Sequence, residues 1–139
     1  MALPSAVRAR LLIITATLGL MSCGLFLGAV MNTDLGALER TEITTGQHTW
    51  QSANAKCQNL GDNWQLPSIV ELTAIYYRST TNPLLDNTDY WSRNALAGFA
   101  FGVNTGRGIA SFDRHQDTDH YICVRTHSLK QKRPDTSDR

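Results

Sequence analysis

The pattern of apolar and polar positions changes rhythm three times along the chain. From Leu11 to Met31 no charged side chain interrupts an apolar run, and Arg8 and Arg10 stand just before it. A bilayer is crossed by a helix of about 20 apolar residues, and this run has that length. Basic residues ahead of such a run hold that end in the cytoplasm. The pattern therefore predicts a cytoplasmic segment over residues 1–10 and an uncleaved transmembrane signal anchor over 11–31, with everything beyond exported. Residues 32–40, with Asp34, Gly36 and Glu39, read as a polar connector.

Helical spacing takes over next. Glu42 to Thr45 suits a short strand ended by Gly46, and Trp50, Ala53, Cys57 and Leu60 then fall on one face of a helix that Gly61 ends. Trp64-Gln65-Leu66-Pro67-Ser68-Ile69-Val70-Glu71-Leu72 follows. Pro67 suits the first turn of a helix, and Ser68 with Glu71 three residues on is a capping box. A second helix is predicted from Ile69 to about Arg78, with Ile69, Leu72 and Ile75 toward a core and Trp64 and Leu66 closing over it.

After Ser79 the spacing becomes strand-like. Tyr90-Trp91-Ser92 is a short aromatic strand, and Phe99, Phe101 and Val103 alternate with small residues, a pattern in which one face would be buried. Asn104-Thr105-Gly106 is a hairpin turn into Ile109–Phe112. Asp113 to His120 is a polar loop, and Tyr121 to Arg125 is the last strand. Residues 127–139 are basic and contain a proline, and read as a flexible tail.

A formal net charge of +1 offers no argument for nucleic acid as a partner. The cysteines say more. Cys23 lies in the apolar run, which leaves Cys57 and Cys123 outside it. In an oxidising compartment these two make a natural disulfide, worth roughly 4 kcal/mol for a loop of about 65 residues. The alternative is two separate buried thiols. Their spacing matches no zinc or CxxC redox pattern. Leu20-Met21-Ser22-Cys23 resembles a bacterial lipoprotein cleavage box, so a lipid anchor at Cys23 competes with the uncleaved span, as does a cleaved secreted form.

Candidate chemistry is thin. Asp113, Asp117 and Asp119, near His115 and His120, put carboxylates in one loop, as calcium would need, but without the glycine of an EF-hand and with Arg114 among them. The EPN, QPD and WND motifs of calcium-dependent lectins are missing, so the loop over 113–119 reads as solvated, with no metal and no cofactor. His48, His115, His120 and His127 have no nucleophile to serve, and catalysis is not expected. Tyr76, Tyr77, Tyr90 and Trp91 either stack on a ligand or fill the core. Arg93, Arg107 and Arg114 would form a cationic strip for an anionic polymer, or are simply solvated. Lys130, Lys132 and Arg133 in the tail would add to such a strip.

The order of motifs, namely Trp50-Ala53-Cys57, Trp64-Gln65-Leu66-Pro67 with Glu71-Leu72, Tyr90-Trp91-Ser92 and Cys123-Val124-Arg125, resembles the Lcl C-terminal-domain family, named after a bacterial collagen-like adhesin. Gln65 stands where that family usually has arginine. The resemblance covers about residues 41–126. It implies a compact α+β domain similar to C-type-lectin-like and sulfatase-modifying-factor-like folds, in which two helices flank a twisted antiparallel sheet and the termini lie close together. It also implies surface exposure in bacteria or phage and, as in the named adhesin, association with sulfated polysaccharide. The reactive thiols of the sulfatase-modifying enzymes are missing here. The expected protein is a non-catalytic recognition module in the bacterial inner membrane, single-pass, with its domain in the periplasm and a role in polysaccharide adhesion. The alternative is a structural accessory subunit of an envelope assembly such as a pilus or secretion apparatus.

Overall fold

In the computed structural model the described residues are 19, 21–42, 46–78, 84 and 87–126. Residues 21–32 form helix α1. A 3-10 turn at Leu35–Ala37 follows, capped by the Asp34 carboxylate, which accepts from the Gly36 and Ala37 N–H groups. Then come β1 (Leu38–Arg40), β2 (His48–Thr49), α2 (Trp50–Gln58), α3 (Ile69–Arg78), β3 (Asp89–Leu96), β4 (Phe99–Asn104), β5 (Ile109–Arg114), β6 (Thr118–Asp119) and β7 (Val124–Thr126). The class is α+β. β3, β4 and β5 make a three-stranded sheet, and β1 pairs with β7 and β2 with β6 in two smaller ones, every pairing antiparallel.

The expected span over 11–31 lies partly outside the described residues, as do residues 1–10 and 127–139 and most of the predicted strand at 42–45. Among the described residues no helix is long and apolar enough to cross a membrane. The stretch read as a connector is more than that, because its end is a strand. Leu38 lies opposite Thr126 and Arg40 opposite Val124, so the domain's two ends are zipped side by side. Leu38 also packs against the core, which polarity alone did not foretell.

Both helices of the domain start as local chemistry dictates. Thr49 caps α2, its hydroxyl accepting from the Ser52 N–H at 3.4 Å. At α3 the capping box closes: the Ser68 N–H donates to Glu71 Oε2 at 2.6 Å, and the Glu71 N–H to Ser68 Oγ at 3.1 Å. Ala53 and Cys57 are buried on α2, but Leu60 is exposed. It lies beyond Gln58, where the helix has given way to a turn, and so leaves the helical face.

Successive residues of β3 point to opposite faces of the sheet, and the core divides between them. Tyr90 joins Leu72, Ile75, Val103, Ile122 and Val124 on the α3 side. Trp91 joins Ala53, Cys57, Leu66, Ala100, Tyr121 and Cys123 on the α2 side, where Trp50 and Trp64 also pack. Trp64 and Leu66 therefore close over α2, not over α3 as expected. Pro67 and Ser68 turn the chain between them and the second helix, so they stay with the element that precedes the turn. Cys57 and Cys123 are bridged, with Cα atoms 5.4 Å apart, which joins α2 to the residue just before β7.

β4 does not follow simple alternation: Val103 is buried on the same face as the phenylalanines, but that face turns outward at Phe99 and Phe101. Ala100 and Gly102 are buried, while Phe101 is exposed and Phe99 only half-buried. A Cβ on Gly102 would come within 2.5 Å of the Tyr90 carbonyl oxygen and 2.7 Å of Ser111 Oγ. That face meets the Trp91 side of the core too closely for larger residues, so the small ones go in.

Candidate functional site

With Ala100 and Gly102 inside, the aromatic residues of the hairpin are pushed out together. Phe101 lies opposite Phe112, Phe99 opposite Arg114 and Leu96 opposite Phe99, and cross-strand partners share a face. The Phe99 and Phe112 rings stack at 4.9 Å and 14°, and Phe101 tilts against Phe112 at 4.8 Å. Phe101 is 36% exposed, Phe112 49% and Leu96 67%. Single exposed apolar residues are ordinary, whereas these form one contiguous cluster, with Arg114 at its edge. Its position is well fixed. The tight turn at Ala97 and Gly98 joins β3 to β4, and the His115 N–H donates to the Gly98 carbonyl at 3.0 Å.

The residues singled out from the sequence are not assembled there. Tyr90 and Trp91 are fully buried, and Trp91 Nε1 donates to the His48 carbonyl at 2.7 Å, so neither presents a face to a ligand. Arg93 donates to Glu71 Oε2 at 2.8 Å and to the Leu66 carbonyl at 3.1 Å, tying the sheet to the capping box. Arg107 lies in the turn at one end of β5 and Arg114 at the other, with roughly 15–20 Å of strand between them. The cationic strip therefore does not form as one patch. Of the three, only Arg114 borders the phenylalanines. Tyr76 and Tyr77 brace the β4–β5 turn, donating to the Thr105 and Gly108 carbonyls.

Phe99, Phe101 and Phe112 escape a sequence-based search for surface residues, because alternation in β4 does not say which of its two faces is inward. The signal that could have found them is Gly102, a residue without bulk in mid-strand, which the fold sets directly opposite Trp91.

The loop read as solvated is a cluster of half-buried acids. Asp113 and Asp119 each bury one carboxylate oxygen without a hydrogen-bond donor among the described residues, and Asp89 does the same beside them. Burial pushes the Asp119 carboxyl up to about 7, helped by the charges of Asp113, Asp89 and Asp117. Burial also raises Asp113, partly offset by the Ser111 hydroxyl, with Asp89 and Asp117 adding to the rise. Among the described residues no group of His, Cys, Asp and Glu is arranged to hold a metal ion. Of the singled-out histidines, His127 lies outside the described residues. The other three serve as packing partners: His115 stacks on Trp50 at 4.5 Å, His48 meets the edge of Tyr121, and His120 tilts against Tyr90.

Comparison with known proteins locates the fold. The chain is similar to the crystal structure of botrocetin, with a TM-score of 0.52 at 10% identity, covering 68% of this chain and 94% of that one. At that identity the likeness concerns fold alone. It is consistent with a C-type-lectin-like arrangement of the helices and small antiparallel sheets. No family model and no curated protein matches the chain.

Proposed function

We propose that this chain is a membrane-anchored, exported recognition module that binds its partner through the surface formed by Phe99, Phe101 and Phe112. The observation that carries the reading is that exposed aromatic cluster, held rigid on a sheet of C-type-lectin-like build. Flat apolar rings bind the faces of sugar rings or the side chains of another protein. Arg114 at the edge supplies a cation for an anionic polysaccharide, and the resemblance to the Lcl C-terminal domain favours the same ligand class.

Leu96 favours a second reading. It extends the surface with an exposed aliphatic side chain that offers a sugar nothing to hydrogen-bond. A patch of that character suits a protein neighbour, and thus an accessory subunit of an envelope assembly.

The test compares wild type with a Phe101→Ser/Phe112→Ser variant, both extracted from native membranes in detergent. Loss of binding to immobilised sulfated polysaccharide, with a parallel loss in Arg114→Ala and on adding salt, supports the first reading. Loss of a co-purifying membrane protein instead supports the second. Unchanged capture in both assays removes the surface from consideration. Intact mass of the extracted protein decides the anchor: a chain that keeps Arg8 and Arg10 is the uncleaved span, and one that starts at an acylated Cys23 is a lipoprotein.

A further inference from the structure

Helix α1 does not leave the domain as a free stalk. The guanidinium of Arg78, at the end of α3, donates to the Val30 carbonyl at 2.8 Å and the Thr33 carbonyl at 2.7 Å, which clamps the last turn of α1 to the domain. The Val30 carbonyl also accepts from the Thr33 N–H at 3.4 Å, and a cation at this end of the helix meets the negative end of its dipole. Val30 is buried at this contact. Around it, Phe26, Leu27 and Met31 stand across from Tyr77, Val103 and Ile109, and a cavity of about 380 Å³ remains between the two sides. The cavity wall is almost wholly apolar, and Leu27, Met31, Tyr77 and Ile109 are each more than half exposed.

Length decides what covers this seam. A helix rises about 1.5 Å per residue and the hydrocarbon core is about 30 Å thick. The part of the apolar run before the clamped stretch, Leu11 to Leu25, would span only about 22 Å as a helix. Residues 26–31 must then lie within the outer leaflet or its interface to complete a span, and the side chains facing them across the cavity lie at the same depth. We infer that the domain sits directly on the outer leaflet, with a phospholipid acyl chain filling the seam between α1 and the face of Tyr77 and Ile109. The inference rests on the membrane-anchored reading. Tyr77 is the residue type that settles at a bilayer interface. Arg107, exposed in the turn next to Gly108, is placed to reach a lipid phosphate.

The test uses the full chain in vesicles that contain a phospholipid with a photoactivatable diazirine in its acyl chain, with adducts mapped by mass spectrometry. Lipid adducts on residues 21–31 and also on Tyr77 and Ile109, with none on the exposed Lys56 of α2, are expected. Adducts confined to residues 21–31 would leave the protein anchored and the seam empty of lipid, which overturns the inference while sparing the anchor. No adducts anywhere, with the chain released from the vesicles, would remove both. Protein-to-protein links at Ile109 in place of lipid adducts would also overturn it, assigning the seam to a second copy.

Discussion

Arg93 on β3 donates to the same Glu71 carboxylate oxygen that closes the capping box of α3 through the Ser68 N–H. One oxygen thus joins a helix start to the middle of an edge strand of the sheet. Glu71 is the more shielded partner, with 18% of its side chain exposed against 35% for Arg93. Removing the carboxylate leaves both a backbone donor and a guanidinium without it. Glu71→Ala should therefore destabilise more than Ser68→Ala, which is expected to cost about 0.5–2 kcal/mol as a lost cap. Arg93→Ala should cost about 1 kcal/mol or less, since the pair is partly solvated. Urea denaturation of the three variants checks the order, and a Glu71/Arg93 double-mutant cycle should return a coupling clearly above zero.

The Cys57–Cys123 bridge closes a long loop and joins α2 to the residue just before β7. Replacing both cysteines by alanine should lower stability by about 2–5 kcal/mol. Mass spectrometry of the protein purified from its native host without reductant should recover the linked peptides. Finding both thiols free would mean that the pair is not oxidised in its own compartment.

Gly102 is set by close approach. A Cβ at this position would stand 2.5 Å from the Tyr90 carbonyl oxygen, so Gly102→Ala must move backbone and not a flexible side-chain tip. A cost of about 1–3 kcal/mol is expected, typical of overpacking. Ala110, exposed on β5, gives the control: Ala110→Ser should leave the melting temperature nearly unchanged.

Ala97 makes the opposite case. It holds φ at +51° in the two-residue turn with Gly98, a conformation that costs an alanine roughly 1–2 kcal/mol. Asparagine is the preferred residue in such hairpin turns. Ala97→Asn should raise stability by about 0.5–1 kcal/mol, read from thermal melts, and an unchanged or lower melting temperature would show that Ala97 is held there by contacts of its own.

What the sequence revealed and what it hid follow one division. The capping box was legible because Ser68 and Glu71 act within one turn, and the disulfide because the two cysteines outside the apolar run have one way to pair. β1 was hidden because Leu38–Arg40 is a strand only when β7 lies beside it. The phase of β4 was hidden for the same reason: alternation shows that one face is buried, and only the bulk of Tyr90 and Trp91 on the neighbouring strand decides which. The aromatic surface follows from that phase, so local pattern could not reveal it. Tyr90 and Trp91 carry the strongest aromatic signal in the sequence and form the core, while the less conspicuous phenylalanines face solvent.

Asp119 gives a pH dependence whose sign is fixed by its surroundings. Its folded-state pKa stands at about 7, raised by burial first and then by Asp113, Asp89 and Asp117, whereas an unfolded aspartate titrates near 3.9. The folded state therefore holds a proton that the unfolded chain releases between these values. This contribution to stability is fully present below about pH 4 and is lost as pH rises through 7. Water still reaches part of the side chain, so the loss is discounted to about 1–2 kcal/mol. Asparagine has the same shape and no proton to release. Asp119→Asn should match wild type at pH 4 and exceed it by about that amount at pH 8, measured by urea denaturation at both values. An equal difference at the two pH values would show that the ionised carboxylate is not what strains this loop.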